Sequence, residues 1–407
     1  MNFSELGLDE KVIEAISYMG FEKATPIQEK AIPEIMKGKD LLACAQTGTG
    51  KTAAFILPVL HNLSQKEESE STTVLVIVPT RELAVQIDQQ IQGFSYFVPV
   101  NSMAIYGGGD GDNWDLQKKA LSSGTNIIVA TPGKLLSHLN MGYVDFSKVE
   151  YLILDEADRM LDMGFIEDIH KIISYLPKKR QNLLFSATMA PKIRNFAKEL
   201  LSDPLEITIS ISKPAEGVLQ AAYLTFDQQK IPLLKSLIEK NTSYTSILIF
   251  SSTKRKVFDI VRALGGDKKS VKGISSDLEQ KEREEVLRQY KNKSTRILVA
   301  TDVLSRGIDI KDISLVVNFD VPKQAEDYVH RVGRTARAET TGVALTLINP
   351  DDMQKFHHIE KLIERDVPKI ALPAELGPGP EYKIHSTDRK KRSGFKRDHR
   401  KHKPRKG

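Results

Sequence analysis

The 407-residue chain has a single cysteine, Cys44, so an internal disulfide framework is excluded and a reducing compartment is expected. No apolar run approaches the ~18 residues that a membrane helix needs. The longest strongly apolar runs are about five residues, as at 74–78. The opening Met1-Asn2-Phe3-Ser4-Glu5 lacks a basic segment followed by an apolar one, so no secretory leader is expected. Most of the chain also lacks a charge excess of either sign. Residues 381–407 hold 12 Lys/Arg and 3 Asp/Glu, a local charge of +9; the other 380 residues carry 47 basic and 50 acidic side chains, or −3. These absences exclude a disulfide-stapled secreted domain, a membrane-spanning protein, a collagen and a wholly disordered chain. What remains is a cytoplasmic globular protein with no membrane partner and a basic C-terminal segment. Such a segment attracts polyanions, nucleic acid first among them.

At ~150 residues per domain, the length suggests two to three domains. Leu8, Val12, Ile13 and Ile16 share a helical face, as do Ile27, Ala31, Ile32 and Ile35. Further along, continuous apolar runs at 73–78, 126–130, 151–154 and 182–185 alternate with longer amphipathic stretches. Runs apolar on both faces belong to buried parallel strands, and their alternation with helices predicts α/β architecture. The plan repeats. Ile127-Ile128-Val129-Ala130-Thr131 is echoed by Ile297-Leu298-Val299-Ala300-Thr301, 170 positions later. The stretch from Val74 through Thr80-Arg81 is echoed from Ile247 through Thr253-Lys254, 173 positions later. Two related domains are therefore expected, at 1–210 and 218–373. A Ser-Lys-Pro-Ala-Glu-Gly linker would join them at 211–217, and a basic, disordered tail would occupy 374–407.

Ala45-Gln46-Thr47-Gly48-Thr49-Gly50-Lys51-Thr52 has the spacing of a phosphate-binding loop, with Ala45 where the strict pattern has its first glycine. Glycines let backbone N–H groups face phosphate oxygens, and the helix that follows adds its positive end. Lys51 supplies a charge for the β/γ-phosphates and Thr52 a hydroxyl for Mg²⁺. Thr47, Gly48, Thr49 and Gly50 form the cradle. A second carboxylate site should lie at the end of another strand. Residues 151–154 end in Asp155-Glu156-Ala157-Asp158, which places Asp155 for the metal's water shell and Glu156 as general base for the attacking water.

The second half contains no Gly-Lys-Thr or Gly-Lys-Ser, so no phosphate cradle is expected there. It carries His330-Arg331-Val332-Gly333-Arg334-Thr335-Ala336-Arg337 instead. Arginines from a second domain can supply cationic help opposite a γ-phosphate bound on the first.

Together these residues resemble the DEAD-box ATP-dependent RNA helicases over about residues 3–350. The resemblance implies two tandem RecA-like parallel-sheet domains of the P-loop NTPase class, helicase superfamily 2. Phe3 and Gly20-Phe21-Glu22-Lys23-Ala24-Thr25-Pro26-Ile27-Gln28 are similar to the upstream aromatic and Q motif. This implies that Gln28 reads adenine, that Phe3 stacks on it and that Phe21 joins the nucleotide site. Pro79-Thr80-Arg81-Glu82-Leu83-Ala84, Gly107-Gly108 and Thr131-Pro132-Gly133-Lys134 resemble the RNA-backbone motifs. They nominate Pro79, Thr80, Arg81, Gly107, Gly108, Thr131, Gly133 and Lys134 for RNA. Thr253, Arg283 and Thr301 are the corresponding RNA residues of the second domain, and Asp309 the ribose contact. Ser186-Ala187-Thr188, with Asp158, resembles the coupling motif. His330 would bridge to it, and Arg334 and Arg337 would be the arginine fingers. Lys134 stands where the family usually has Arg, and Ala336 where it usually has Gly. The compact core and basic tail look most like the bacterial RhlE-type branch.

The implied activity is RNA-stimulated ATP hydrolysis, with ATP and Mg²⁺ bound. Domain closure would drive local, non-processive unwinding of short duplexes or remodelling of RNA–protein complexes. Single-stranded or short duplex RNA, without sequence preference, is the expected partner. Ribosomal or RNA-decay proteins are further partners, and the chain is expected to be a monomer. Three alternatives stand beside this reading: an ATP-gated RNA clamp, a DNA translocase and a P-loop kinase or metabolic enzyme.

Overall fold

The computed structural model of the protein describes residues 1–384 apart from 46–47, 68–69, 109–110, 210–217, 267–269, 276, 302–312 and 336–341; for 111–113 and 280 it describes the backbone. Two seven-stranded sheets form the frame. The first contains β1 (Leu41–Cys44), β2 (Val74–Ile77), β3 (Ser102–Ile105), β4 (Ile127–Ala130), β5 (Tyr151–Leu154), β6 (Gln181–Ser186) and β7 (Leu205–Thr208), in the order β3-β4-β2-β5-β6-β1-β7. The second contains β8 (Val218–Leu224), β9 (Ile247–Ser251), β10 (Val271–Ile274), β11 (Ile297–Thr301), β12 (Leu315–Asn318), β13 (Gly342–Ile348) and β14 (Lys369–Ile370), in the order β10-β11-β9-β12-β13-β8-β14. Every pairing in both sheets is parallel. Each strand of the second sheet thus occupies the place of the strand seven earlier in the first. The two sequence echoes fall on β4 with β11 and β2 with β9, which are equivalent positions.

Helices cover both faces of each sheet. In the first half they are α1 (Glu10–Tyr18), α2 (Pro26–Met36), α3 (Lys51–Ser64), α4 (Arg81–Phe94), α5 (Gly111–Ser122), α6 (Pro132–Leu139), α7 (Ala157–Asp162), α8 (Ile166–Ser174) and α9 (Pro191–Leu200). In the second they are α10 (Asp227–Lys240), α11 (Lys254–Ala263), α12 (Gln280–Lys291), α13 (Ala325–Val332) and α14 (Met353–Leu362). The period-2 geometry of strands explains the two cores of the first half. Leu41, Ala43, Val74, Val76, Ile127, Val129 and Ile153 face α2, α3 and α4. Their neighbours Leu42, Leu75, Ile77, Ile128, Ala130, Leu152 and Leu154 face α6, α7, α8 and α9. Helix α4 shows why the sequence turns helical. Thr80 caps it by accepting from Leu83 N, and Leu83, Ala84, Ile87, Ile91 and Phe94 form its buried stripe.

One connection differs between the halves. Residues 45–50 join β1 to α3, whereas Thr225-Phe226 alone join the equivalent β8 and α10. The packed chain also continues past the expected end of the second domain. Residues 374–384, assigned to the tail from their Gly-Pro composition, lie against the second sheet. Gln229 Nε2 donates to the carbonyls of Leu376 (2.8 Å) and Pro378 (3.1 Å), and Tyr382 OH donates to Glu360 Oε2 at 2.9 Å. A Cβ on Gly379 would lie 2.1 Å from Leu224 O, so glycine there serves close packing. The linker expected at 211–217 and the segment 385–407 lie outside the described residues. Among the described residues, no helix is long and apolar enough to cross a membrane.

Candidate nucleotide site and nucleic-acid face

Apart from Phe3, Phe21 and Gln28, which precede β1, the predicted site residues of the first half that the structure describes sit at or past the C-terminal ends of strands, where open parallel sheets bind ligands. The sheet order divides them. The phosphate loop follows β1, Asp155-Glu156 follows β5, and Ser186 ends β6, three adjacent strands. Thr80-Arg81 follows β2, Gly107-Gly108 follows β3, and Thr131 follows β4, three adjacent strands at the β3 end of the sheet. Nucleotide-type and RNA-type residues therefore occupy opposite halves of one sheet edge.

The phosphate loop runs into α3, with Gly48 at φ +82° and Gly50 at φ +89°. A Cβ on Gly50 would lie 2.3 Å from Gln28 Nε2, so a side chain there would displace Gln28 and would also be strained by the positive φ. Gln28 is 1% exposed and braces this loop. Its Nε2 donates to Gly50 O at 3.0 Å and its Oε1 accepts from Thr25 N at 2.8 Å, which makes it both a helix cap and a strut. One amide proton and one oxygen lone pair are left over for a base. Thr47 lies outside the described residues. A cleft of about 280 Å³ opens over the loop, lined by Phe21, Gln28, Gly50, Lys51 and Thr52 together with residues from β5 and the second half. Phe3 is not among its walls. It is 3% exposed and packs edge-on to Phe21 at 6.5 Å, so the rings presented to the cleft are Phe21 and Phe94, with Phe3 behind Phe21. The expected stacking of Phe3 on adenine is thereby replaced by a bracing position.

Lys51 is 6% exposed and its Nζ makes no hydrogen bond; the nearest carboxylate oxygen, Asp155 Oδ1, is 3.7 Å away. A buried ammonium without donors' partners is costly, and a phosphate group would satisfy it. Burial pushes the Asp155 carboxyl above the usual carboxylate range, against the pull of Lys51 and with the push of Glu156. Asp155 Oδ1 accepts from Glu156 N at 2.8 Å. Glu156 itself sits at φ 51°, ψ 46°, a left-handed conformation unfavourable for a residue with a side chain. Glu156 lines the cleft, and Arg159 Nη1, from the neighbouring cavity, donates to its Oε2 at 3.2 Å. No cluster of three His, Cys, Asp or Glu suited to a metal exists among the described residues. Asp155 with the Thr52 hydroxyl fits Mg²⁺, which takes few protein ligands and keeps waters and phosphates. Cys44 donates to Ala187 O at 3.6 Å, and burial raises its thiol pKa, so it is an inert strand residue.

The second half closes on this site. Arg334 lines the cleft opposite Lys51, Asp155 and Glu156. A small neighbouring cavity brings His330 and Asp327 of α13 against Glu156, Asp158, Arg159 and Thr188. Ser186 Oγ donates to Thr188 O at 2.8 Å, fixing that turn. Arg337 and Asp309 lie outside the described residues. On the other half of the edge, Arg81 Nη1 donates to Gly108 O at 3.1 Å, and its guanidinium lies 4.4 Å from the Tyr106 ring centre. Its Nη2 pairs at 2.7 Å with Glu284 of α12, a direct bridge between the halves. Pro79 is buried, Gly107, Gly108 and Gly133 are exposed, and Thr131 and Lys134 are half-buried. Thr253 caps α11 as Thr80 caps α4, accepting from Lys256 N at 3.3 Å. Arg283 Nε donates to Leu278 O, and Thr301 ends β11.

Several lining residues escaped the sequence reading. Arg159 was accessible from it, three residues after Glu156 on a helix. Gln86, Gln90 and Phe94 line the cleft from α4, and Glu284 reaches Arg81 from about 200 positions away. No local signal marks any of these four.

The DEAD/DEAH box helicase family profile matches residues 25–196, and the helicase conserved C-terminal domain profile matches 229–339. The ATP-dependent RNA helicase CshA of Listeria monocytogenes is 41% identical over 372 residues, spanning 91% of this chain and 70% of that protein. The DEAD-box ATP-dependent RNA helicase CshA of Geobacillus kaustophilus is also 41% identical, spanning 91% and 78%. Among solved structures, Saccharomyces cerevisiae Dbp5 bound to RNA and ADP BeF3 is 28% identical, with 91% of this chain and 95% of that one covered and a TM-score of 0.79. A DEAD box protein from Methanococcus jannaschii is 38% identical, with 91% and 99% covered, yet superposes with a TM-score of only 0.53. Matched on both halves and aligned with most of each curated relative, the chain belongs to the DEAD-box family of ATP-dependent RNA helicases.

Proposed function

We propose that this helicase hydrolyses ATP only when RNA and nucleotide hold its two halves together. The observation that carries the proposal is the presence of Arg334 in the wall of the cleft that also holds Lys51, Asp155 and Glu156. ATP is the substrate. Its phosphates would lie on the backbone of Gly48, Thr49 and Gly50, with Lys51 at the β/γ-phosphates, Gln28 and Phe21 at the base, and Thr47 and Asp309 completing the set. Glu156 takes a proton from the attacking water as it bonds to the γ-phosphorus, and the bond to the β-phosphate oxygen breaks. Arg334, with Arg337, offsets the charge that spreads over the γ-phosphoryl oxygens. Mg²⁺, when bound beside Asp155 and Thr52, supplies further charge neutralisation.

RNA would lie along the other half of the edge, held by its backbone. Thr80, Arg81, Gly107, Gly108, Thr131, Gly133 and Lys134 face it from the first half, and Thr253, Arg283 and Thr301 from the second. Such contacts position a strand without reading its sequence. His330, Asp158 and Thr188 would link the two events through the cavity they share, with Ser186 holding Thr188 in place. Local, non-processive strand separation follows from gripping one strand in a form a duplex cannot adopt. We place the protein in the cytoplasm as a monomer, with ribosomal or RNA-decay proteins as partners. The compact core and basic segment favour an RhlE-like branch, while the 41% identical relatives bear the name CshA.

The test is phosphate release from ATP without nucleic acid, with single-stranded RNA, and with DNA of the same sequence, using Glu156→Gln as control. Stimulation by RNA alone supports the proposal. Equal stimulation by DNA would support a translocase, because the 2′-OH is what distinguishes the two polymers.

A further inference from the structure

Lys134 stands where the family resemblance leads one to expect an arginine, and its surroundings differ from those of an ordinary surface lysine. Its Nζ lies 4.0 Å from the ring centre of Trp114. On α5, Trp114 stacks on His138 of α6, with ring centres 4.0 Å apart and an interplanar angle of 17°. His138 is wholly buried and held at both nitrogens. Gln117 Nε2 donates to Tyr106 O at 3.1 Å, which turns Gln117 Oε1 toward His138 Nε2 at 3.2 Å. Nε2 therefore carries the proton, and Nδ1 accepts from the Tyr143 hydroxyl. The imidazole is neutral at physiological pH, since burial and the nearby Lys134 hold its pKa down to about 4. A neutral ring stacks on indole without repelling the ammonium on the indole's other neighbour.

The same chain of contacts reaches Arg81. Tyr106, whose carbonyl anchors Gln117, carries the Arg81 guanidinium on its ring face. Two cations nominated for the RNA backbone are thus each mounted on an aromatic ring, and the two rings are tied together through Gln117 and His138. A lysine lacks the planar fork that pre-organises an arginine, and its flexible stem loses rotamer freedom when it grips a phosphate. Resting the ammonium on a fixed indole removes part of that loss before RNA arrives.

From this geometry we infer that Trp114 is a positioning residue for RNA binding: it holds Lys134 pre-set for a backbone phosphate, compensating for the lysine. The inference rests on the reading of Lys134 as an RNA-backbone contact. The experiment measures affinity of the full chain for a labelled single-stranded RNA across a salt series, for Trp114→Leu, Trp114→Phe, Lys134→Ala and the double variant Trp114→Leu/Lys134→Ala, with thermal melts checking the fold. Trp114→Leu should weaken binding about threefold to tenfold, the range of a partly desolvated cation–π contact. Trp114→Phe should recover most of it. Lys134→Ala should lower the salt slope by about one, and the double variant should bind no more weakly than Lys134→Ala. Additive losses would overturn the inference, as would normal binding by Trp114→Leu alongside weakened Lys134→Ala. Normal affinity and slope in Lys134→Ala would instead remove the RNA reading of Lys134, and the inference with it. Trp114 is the one tryptophan of the chain, so its emission provides a measurement free of mutation. RNA saturation should change it in the unaltered protein, and an unchanged spectrum would count against the inference even if Trp114→Leu fails to fold.

Discussion

Glu156 combines a catalytic assignment with a backbone conformation that costs about 1 kcal/mol or more for a non-glycine residue. It lines the cleft at a left-handed turn that begins one residue past the end of β5. Glu156→Gln keeps the shape and removes the base; kcat for ATP hydrolysis should fall by about 10²–10⁴ while nucleotide affinity, read by a fluorescent analogue, is retained. Gly50→Ala should weaken that affinity, because the new methyl would displace Gln28 in a left-handed turn. His138 predicts a pH effect. Its folded pKa of about 4 lies below the ordinary 6.5, so the unfolded chain binds the proton first. This group's share of stability is intact above about pH 6.5 and is lost as pH falls toward about 4. Melting temperatures between pH 7.5 and pH 5 should drop less for His138→Gln than for the unaltered protein. The places of Glu156 and Lys51 in one cleft were legible because a phosphate loop and a strand-end acidic pair are local patterns. His138 and Trp114 were not, because a stack between two helices leaves no trace in spacing.

At the level of elements, the sequence marked the central strands and passed over the edges. Strands β2, β4, β5 and β6 are buried on both faces and read as continuous apolar runs. Strands β3 and β7 lie at the sheet edges, where Ser102, Glu206 and Thr208 break any such run. The C-terminal boundary was misplaced for a related reason: Gly377-Pro378-Gly379-Pro380 has linker composition, but Gly379 is small so that the chain can lie on Leu224. Between elements, Asp40 acts as a polar rivet. Its carboxylate accepts from Asn182 N (2.7 Å), Asn182 Nδ2 (3.2 Å) and Ser202 N (2.9 Å), joining the start of β1 to β6 and to the turn before β7. Asp40→Ala leaves buried donors unpaired and should lower unfolding free energy by about 2–4 kcal/mol, measured as a reduced urea midpoint at constant slope.

The whole molecule divides its chemistry between two copies of one topology. Arg334→Ala should reduce RNA-stimulated hydrolysis by about 10³ or more, the scale of an arginine finger, with little change in nucleotide affinity. Such an outcome would separate completion of the site from binding to it. Residues 385–407 carry 11 basic and 2 acidic side chains, so removing them should weaken RNA binding and flatten its salt dependence. Truncation belongs after Ile384, because Tyr382 is packed on Glu360 and a shorter chain would also disturb the second half. The doubled topology was visible in two sequence echoes, but the bridge from Arg81 to Glu284 needed the fold to bring the halves together. The two-residue connection between β8 and α10 has a last consequence, one of stoichiometry. Six residues make a cradle after β1, and two cannot wrap a phosphate after β8. No point substitution converts one into the other, so equilibrium dialysis should saturate at one nucleotide per chain however symmetric the two sheets are.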